Sequence, residues 1–440
     1  MKIKSDGQVL ISEIVKIVKH NFPNLYDDLG RINDPRHQYQ YGIDEIVFGA
    51  ISMFLFKTGS RNNYENISKE GKFKKNYKKS FGMSLPSTDA IADVLKKMTE
   101  QELETIKISM VKSLLEKKIF HKYKAFGKFM VAVDGTGIAT YKERHCDDCL
   151  YTESKTGKKT YYHKVLEAKL VTPNGFSISL CTVWIDNEDT NNGKYEKQGC
   201  EQKAFEKLAK KLKKDFPRLP ICLCADGLYP NNTFFEICKN NNWDYIVTLK
   251  DGNLKGLWKK IRLKNRDYEP YDFTDDEKVI HKQKIQWINE QEHNGYHHNW
   301  IKCNETQIRK NGDEAKFQFA YLTNIKIDRD NFKKIILNGR LRWKIEKQGF
   351  DQQKNGGYNI EHKYCRKSYL GMKNFYQACQ IAHMINQFVI KSTTINLLLK
   401  AKKTIKFLWG ILIGVMIFGY VSLSHIQVIN EHRHIVRYIE

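Results

Sequence analysis

Three carboxylates and one histidine–cysteine turn are the groups in this chain best suited to chemistry. In "FMVAVDGTGIATY" the apolar run Phe129–Val133 reads as a short buried strand, and Asp134 stands where it leaves the core, followed by Gly135. "ICLCADGLYP" repeats the pattern: Asp226 ends an apolar strand and Gly227 follows. A carboxylate withdrawn from water is costly unless something compensates it. Neighbouring strands of one sheet would bring Asp134 and Asp226 out at the same edge, where open α/β sheets place their ligands. Two carboxylates there repel each other, and a divalent cation removes that penalty. Mg2+ suits such a site, because it takes hard oxygen ligands and completes its shell with water and phosphate. A third acid, Glu346, lies in "RLRWKIEKQGF", on a helical face shared with Ile336, Trp343 and Phe350. Two readings are open for it: a metal ligand, or the partner of Arg342 in an i,i+4 ion pair.

In "RHCDDC", Cys146 and Cys149 have the C-x2-C spacing of half a zinc site. His145, His163 and Cys200 flank the same sheet edge and could supply the other half; the set carried forward is Cys146, Cys149, His163 and Cys200. The alternative is a pair of reduced thiols without a metal. Cys222, Cys224 and Cys379 lie on apolar faces and read as small core residues.

These residues need a scaffold, and the hydrophobic pattern supplies one. Residues 1–125 read as helical throughout, with "MTEQELETIKISMVKSLLEKKI" opened by a capping box from Thr99 to Glu102. From Phe126 the order is β-β-β-α-β-α-β, a hairpin-led sheet that turns parallel through helical crossovers. The first hairpin turns at Pro173-Asn174-Gly175. Residues 265–327 alternate polar and apolar positions, with turns at Asn294-Gly295 and Asn311-Gly312, and read as a β-rich insertion. The expected organisation is therefore a helical region at 1–125, an α/β domain at 126–264 and 328–392, the insertion at 265–327, and an apolar helix and tail at 393–440. "FLWGILIGVMIFGYVSL" (Phe407–Leu423) falls just short of a membrane span and reads as a buried terminal helix, ahead of a tail anchor.

Lys and Arg total 74 against 50 acids, a net charge of +24 and a pI near 9.4. Such a field favours a polyanionic partner. "SKEGKFKKNYKKSFGMS", with Phe73, Tyr77 and Phe81 between its lysines, suits a nucleic-acid surface; a solvated loop is the other reading. No secretory signal opens the chain, so reduced thiols and a cytoplasmic, nucleoid-associated protein are expected.

Read together, "DGTG…HCDDC…YYHKVLEAKLV…KQGCE…DGLY…WDYIVTLK…RWKIE" resembles the bacterial insertion-sequence transposases of the DDE type, in particular a subgroup with a His-Cys-x2-Cys segment after the first aspartate. The resemblance implies an RNase H-like catalytic core with a β-rich insertion before its glutamate. It implies Asp134, Asp226 and Glu346 as catalytic residues holding two Mg2+ (or Mn2+) ions. Cleavage at the terminal inverted repeats and joining of the freed 3′ end to target DNA would follow, by a homodimer on paired ends. The glutamate motif of related transposases is Tyr-x2-Arg-x3-Glu-x6-Lys. This chain keeps Arg342 and Glu346, but has Gly339 at the tyrosine and Gln353 at the lysine, with Lys354 one residue later. DNA contacts are accordingly expected from Arg342, Lys347 and Lys354, with DNA-end recognition in the helical N-terminal region, including "STDAIADVLKKM". A nuclease without strand transfer, or a non-catalytic membrane-associated DNA-binding protein, are the competing readings.

Overall fold

The computed structural model describes residues 5–186, 197–275, 277–422, 426, 429 and 436–438. Helices fill the chain up to Glu116: α1 (Asp6–Asn21), α2 (Leu25–Gly30), α3 (Ile43–Leu55), α4 (Arg61–Lys69), α5 (Phe73–Phe81), α6 (Thr88–Leu95) and α7 (Glu100–Glu116). Their starts are written in the sequence. Ser5 and Gln8 form a capping box on α1, and Ser87 Oγ accepts from Ala90 N on α6. Thr99 is the N-cap of α7 but makes no side-chain cap bond, so the capping box expected there is absent.

The α/β region follows as β1 (Phe129–Tyr141), β2 (Leu150–Glu153), β3 (Lys159–Val171), β4 (Ser177–Ile185), α8 (Lys197–Asp215), β5 (Ile221–Ala225), α9 (Asn232–Asn241), β6 (Asp244–Thr248) and α10 (Lys255–Leu263). Then come β7 (Asp267–Thr274), β8 (Ile280–His293), β9 (Tyr296–Ile308), β10 (Glu314–Thr323) and α11 (Phe332–Arg340). A π-helical turn (Ile345–Asp351), α12 (Gln352–Asn355), α13 (Tyr369–Lys391), α14 (Thr393–Lys400) and α15 (Ile405–Phe418) complete the described chain.

All ten strands belong to one mixed sheet, ordered β2-β3-β1-β5-β6-β10-β9-β8-β7, with β4 also paired to β3. β1, β3 and β4 run antiparallel in sequence, while β1, β5 and β6 run parallel, joined by the α8 and α9 crossovers. The strands between residues 267 and 323 extend this sheet, because β10 pairs antiparallel with β6. The Asn294-Gly295 turn sits where expected, with φ of +51° and +81°, the signature of a two-residue hairpin.

One strand differs from its sequence reading in a way that matters for the site. β1 does not stop at Val133 but continues to Tyr141, paired with β3 as far as Tyr141↔Tyr161. Its parallel ladder with β5 ends at Ala132↔Cys224. Asp134 therefore leaves the core on one side only: beyond the end of β5, yet still held by β3 opposite Glu167. Two glycines and two threonines in the extension hide its strand character.

α13 is buried along most of its length and packs against α1, α3, α7 and β4, joining the N-terminal helices to the sheet. α15 buries Leu408, Trp409, Leu412 and Met416, and Trp409 Nε1 donates to the Leu55 carbonyl at 2.9 Å. No helix among the described residues is long and apolar enough to cross a membrane. Leu423, the last residue of the apolar run, lies outside the described residues, as does most of the tail.

Candidate active site

The two aspartates reach one cleft from adjacent strands. Asp134 sits on β1 just past the β5 ladder, and Asp226 follows β5 directly, its Oδ1 accepting from Leu228 N at 2.8 Å. Glu346 arrives from the π-helical turn, which packs on β1. All three line a single cleft of about 700 Å3, together with Thr248, Lys250, Phe317, Tyr321, Arg342, Trp343 and Lys354.

Arg342 lies between the acids. Its guanidinium donates to Glu346 Oε1 at 2.5 Å and stands 3.8 Å from Asp134 Oδ2, so the i,i+4 pair and the convergence of acids are both present. Burial, followed by repulsion from Glu346, pushes the Asp134 carboxyl up to about 7, although Arg342 and the Gly135 N–H oppose this. Among the described residues, only the histidine–cysteine group brings three or more ligand atoms within 4.8 Å of one another. The three acids are set wider than that, with a cation already partly neutralising two of them.

Gly339, Gln353 and Lys354, the positions where the glutamate segment departs from the pattern expected of it, each have a structural explanation. A side chain at Gly339 would meet the Tyr321 ring at 2.7 Å, so a tyrosine from β10 fills that space and lines the cleft. In a regular α-helix, seven residues make two turns and would set Gln353 beneath Glu346. The π-helical turn inserts one residue into that register. Lys354 consequently lines the cleft with Glu346, and Gln353 turns inward, fully buried and bonded to Gln380 and His383. Lys354 Nζ pairs with Glu361 at 2.8 Å. Lys347 is exposed and is not among the cleft-lining residues. Trp343, expected on the same apolar face as Ile336, is 46% exposed instead; α11 ends at Arg340, so the chain is not one helix across this region.

The second cluster forms a compact donor set. His145 Nδ1 is 2.7 Å from Cys149 Sγ, Cys146 Sγ is 3.4 Å from both Cys149 Sγ and His163 Nε2, and Cys149 Sγ is 3.8 Å from His163 Nε2. Zn–S and Zn–N bonds of about 2.3 and 2.0 Å imply donor separations of about 3.3–3.8 Å around a tetrahedral ion; the three separations among Cys146, Cys149 and His163 match this, and the His145–Cys149 contact is shorter. Hydrogen bonds from Cys146 and His163 draw the Cys149 thiol down, while the bond to Cys149 and burial push the Cys146 thiol up, so the pair shares one thiolate and a bound metal would have to displace the second proton. This group could hold a metal such as zinc. His145, not Cys200, is its fourth member. Cys200 precedes Glu201, which bonds Lys164 on β3, and side chains alternate along a strand. Cys200 is thus buried on the α8 side of the sheet, while His163 stacks on Tyr369 of α13 at 4.1 Å.

The lysine-rich segment forms α5, and Phe73, Tyr77 and Phe81 are buried in the helical core rather than displayed between the lysines. Lys74, Lys75, Lys78 and Lys79 line a separate groove of about 670 Å3 with Tyr41, Ser84 and Leu85. Sequence reasoning missed Lys250, Tyr321, Phe317 and the exposure of Trp343. Lys250 had a signal: "YIVTLKDG" ends an apolar strand at the sheet edge used by the aspartates. The aromatic positions had none, because β10 was read only as part of an insertion. No family model matches this chain, and no curated protein matches it.

Proposed function

We propose that the protein is a DDE-type transposase with an RNase H-like core, cutting DNA at element ends and joining the freed 3′ end to target DNA. The observation that carries this reading is the meeting of Asp134, Asp226 and Glu346, picked out by sequence across more than two hundred residues, in one cleft beside a basic and aromatic wall. The strand order of three antiparallel strands followed by two parallel ones supports the RNase H-like assignment.

Asp134, Asp226 and Glu346 fit Mg2+ or Mn2+: they are oxygen donors only, and the Asp134 carboxyl is largely withdrawn from water with its charge incompletely met. Bound there, the ions would supply an activated water and charge stabilisation for the leaving 3′ oxygen. Arg342 holds Glu346 against Asp134 before the cations enter, and its planar fork then suits a phosphate oxygen. Lys354 adds a second cation on the same wall, and the exposed faces of Phe317 and Trp343 offer stacking to a base. The α5 lysine groove tracks the phosphate backbone of the same duplex or of a second one. It suits that role better than α6, whose outer face carries Asp89 and Asp93. The histidine–cysteine cluster fixes the far end of β1 and takes no part in the chemistry. A homodimer on paired ends is part of the same reading.

The test is strand transfer. A labelled duplex with a free 3′-OH, supercoiled plasmid and Mn2+ should yield label joined to plasmid, and Asp226→Asn should abolish it. Nicked plasmid without joined label would make the protein a nuclease. Tight DNA binding with neither product would return the acids to a structural role.

A further inference from the structure

We propose that Lys250 is a phosphate-binding residue of this cleft and that Gly227 is glycine in order to seat it; the proposal rests on the DNA-cleaving reading above. Lys250 stands just past β6 and lines the cleft with the three acids. Its Nζ is 3.7 Å from Asp226 Oδ2, and its side chain is 58% exposed toward the cleft.

An exposed lysine is ordinarily a mobile, solvated charge. The backbone that carries this one is fixed on both sides. Leu249 N donates to the Ala320 carbonyl at 2.9 Å, and the Lys250 carbonyl accepts from Trp258 Nε1 at 3.1 Å and Asn253 N at 3.2 Å. Asn253 Nδ2 donates to the Gly227 carbonyl, tying the Lys250 loop to the loop that carries Asp226. The aliphatic stem then lies across Gly227. A Cβ at that position would stand 2.8 Å from Lys250 Cγ, 2.9 Å from Cδ and 3.2 Å from Cε, closer than unstrained contact allows. Gly227 lies in the turn closed by Tyr229 N on the Asp226 carbonyl, but its φ is not positive, so the turn does not itself demand glycine, and the space it leaves is the space Lys250 occupies.

At 3.7 Å the ammonium is beyond good hydrogen-bonding range of the carboxylate. A cation bound by Asp226 would repel it further, toward whatever anion the cleft receives. A DNA phosphate beside Asp226 is the anion that a cation-loaded carboxylate site and a lysine together recognise. Lys250 thus binds a phosphate at or next to the reacting one, from beside Asp226, whereas Arg342 stands by Asp134 and Glu346.

Five proteins decide it: wild type, Lys250→Met, Lys250→Arg, Gly227→Ala and the Gly227→Ala, Lys250→Met double variant. Affinity for a linear duplex is measured against salt in Ca2+, and single-turnover nicking of supercoiled plasmid in Mn2+. One lost phosphate contact lowers the slope of log K against log salt by about 0.9. Loss of a charge-assisted bond slows nicking about ten- to a hundredfold. Lys250→Met should do both, Lys250→Arg should recover most of each, and Gly227→Ala should copy Lys250→Met without altering charge. The Gly227→Ala, Lys250→Met double variant should be no worse than either alone. Wild-type nicking with an indifferent Lys250→Met overturns the proposal alone. Absence of metal-dependent nicking by the wild type overturns the functional reading and the proposal with it.

Discussion

Replacing Asp134 by asparagine should stabilise the metal-free protein while disabling it. The carboxyl is nearly buried, faces Glu346 across the cleft, and is pushed from 3.8 up to about 7. Below pH 3.8 both folded and unfolded chains carry it protonated, and it contributes nothing to the difference between them. As pH rises from 3.8 toward 7 the unfolded chain loses this proton first, so stability falls across that window, and above pH 7 the full cost is present. At 1.36 kcal/mol for each pH unit, a displacement from 3.8 to about 7 costs at most about 4 kcal/mol. Asparagine keeps the shape and removes the charge. Urea unfolding in EDTA should therefore show Asp134→Asn and wild type alike at pH 4, and the variant more stable by up to about 4 kcal/mol at pH 8. Mg2+ at a hundredfold its dissociation constant should add about 2.7 kcal/mol to the wild type and nothing to the variant. A variant equal to or weaker than wild type at pH 8 would refute the picture of a strained, metal-seeking carboxylate.

Three further outcomes follow from the geometry. Cys149→Ser and Cys146→Ser should each lose bound zinc, read by elemental analysis of the purified protein, with a lowered melting temperature, whereas Cys200→Ser should keep its zinc. Gln353→Lys should destabilise by about 3 kcal/mol or more in urea unfolding, because it places an unpaired charge among buried Gln380 and His383, while Lys354→Met should leave stability unchanged and weaken DNA binding. Changing Lys74, Lys75, Lys78 and Lys79 together to glutamine should reduce the salt slope of duplex binding by up to about 4, with the metal requirement for cleavage unaltered.

The aspartates were legible because buried parallel strands print continuous apolar runs and a carboxylate at their ends stands out. The helical N-terminal region and the inserted hairpins were legible for the same kind of reason, through caps, periodicity and the Asn-Gly turns. β1 beyond Asp134 was not, since its strand character comes from pairing with β3 and not from its own glycine-rich residues. The π-helical turn was equally hidden. It is a one-residue slip in hydrogen bonding, held by packing of Gly349 on Ser177 and Lys169, and no residue type announces it. That slip is why Lys354 looks displaced in sequence and lines the cleft in space. His145 was a candidate ligand from spacing, but choosing it over Cys200 required knowing which face of β3 each helix covers.

The most direct test of the account is plasmid nicking by wild type, Asp134→Asn, Asp226→Asn and Glu346→Gln, each folded by circular dichroism, in Mg2+ and in EDTA. Nicking by the wild type is expected in Mg2+ alone, with a loss of at least a hundredfold in every variant. Nicking that persists in EDTA, or that survives loss of any one of the three acids, would contradict it.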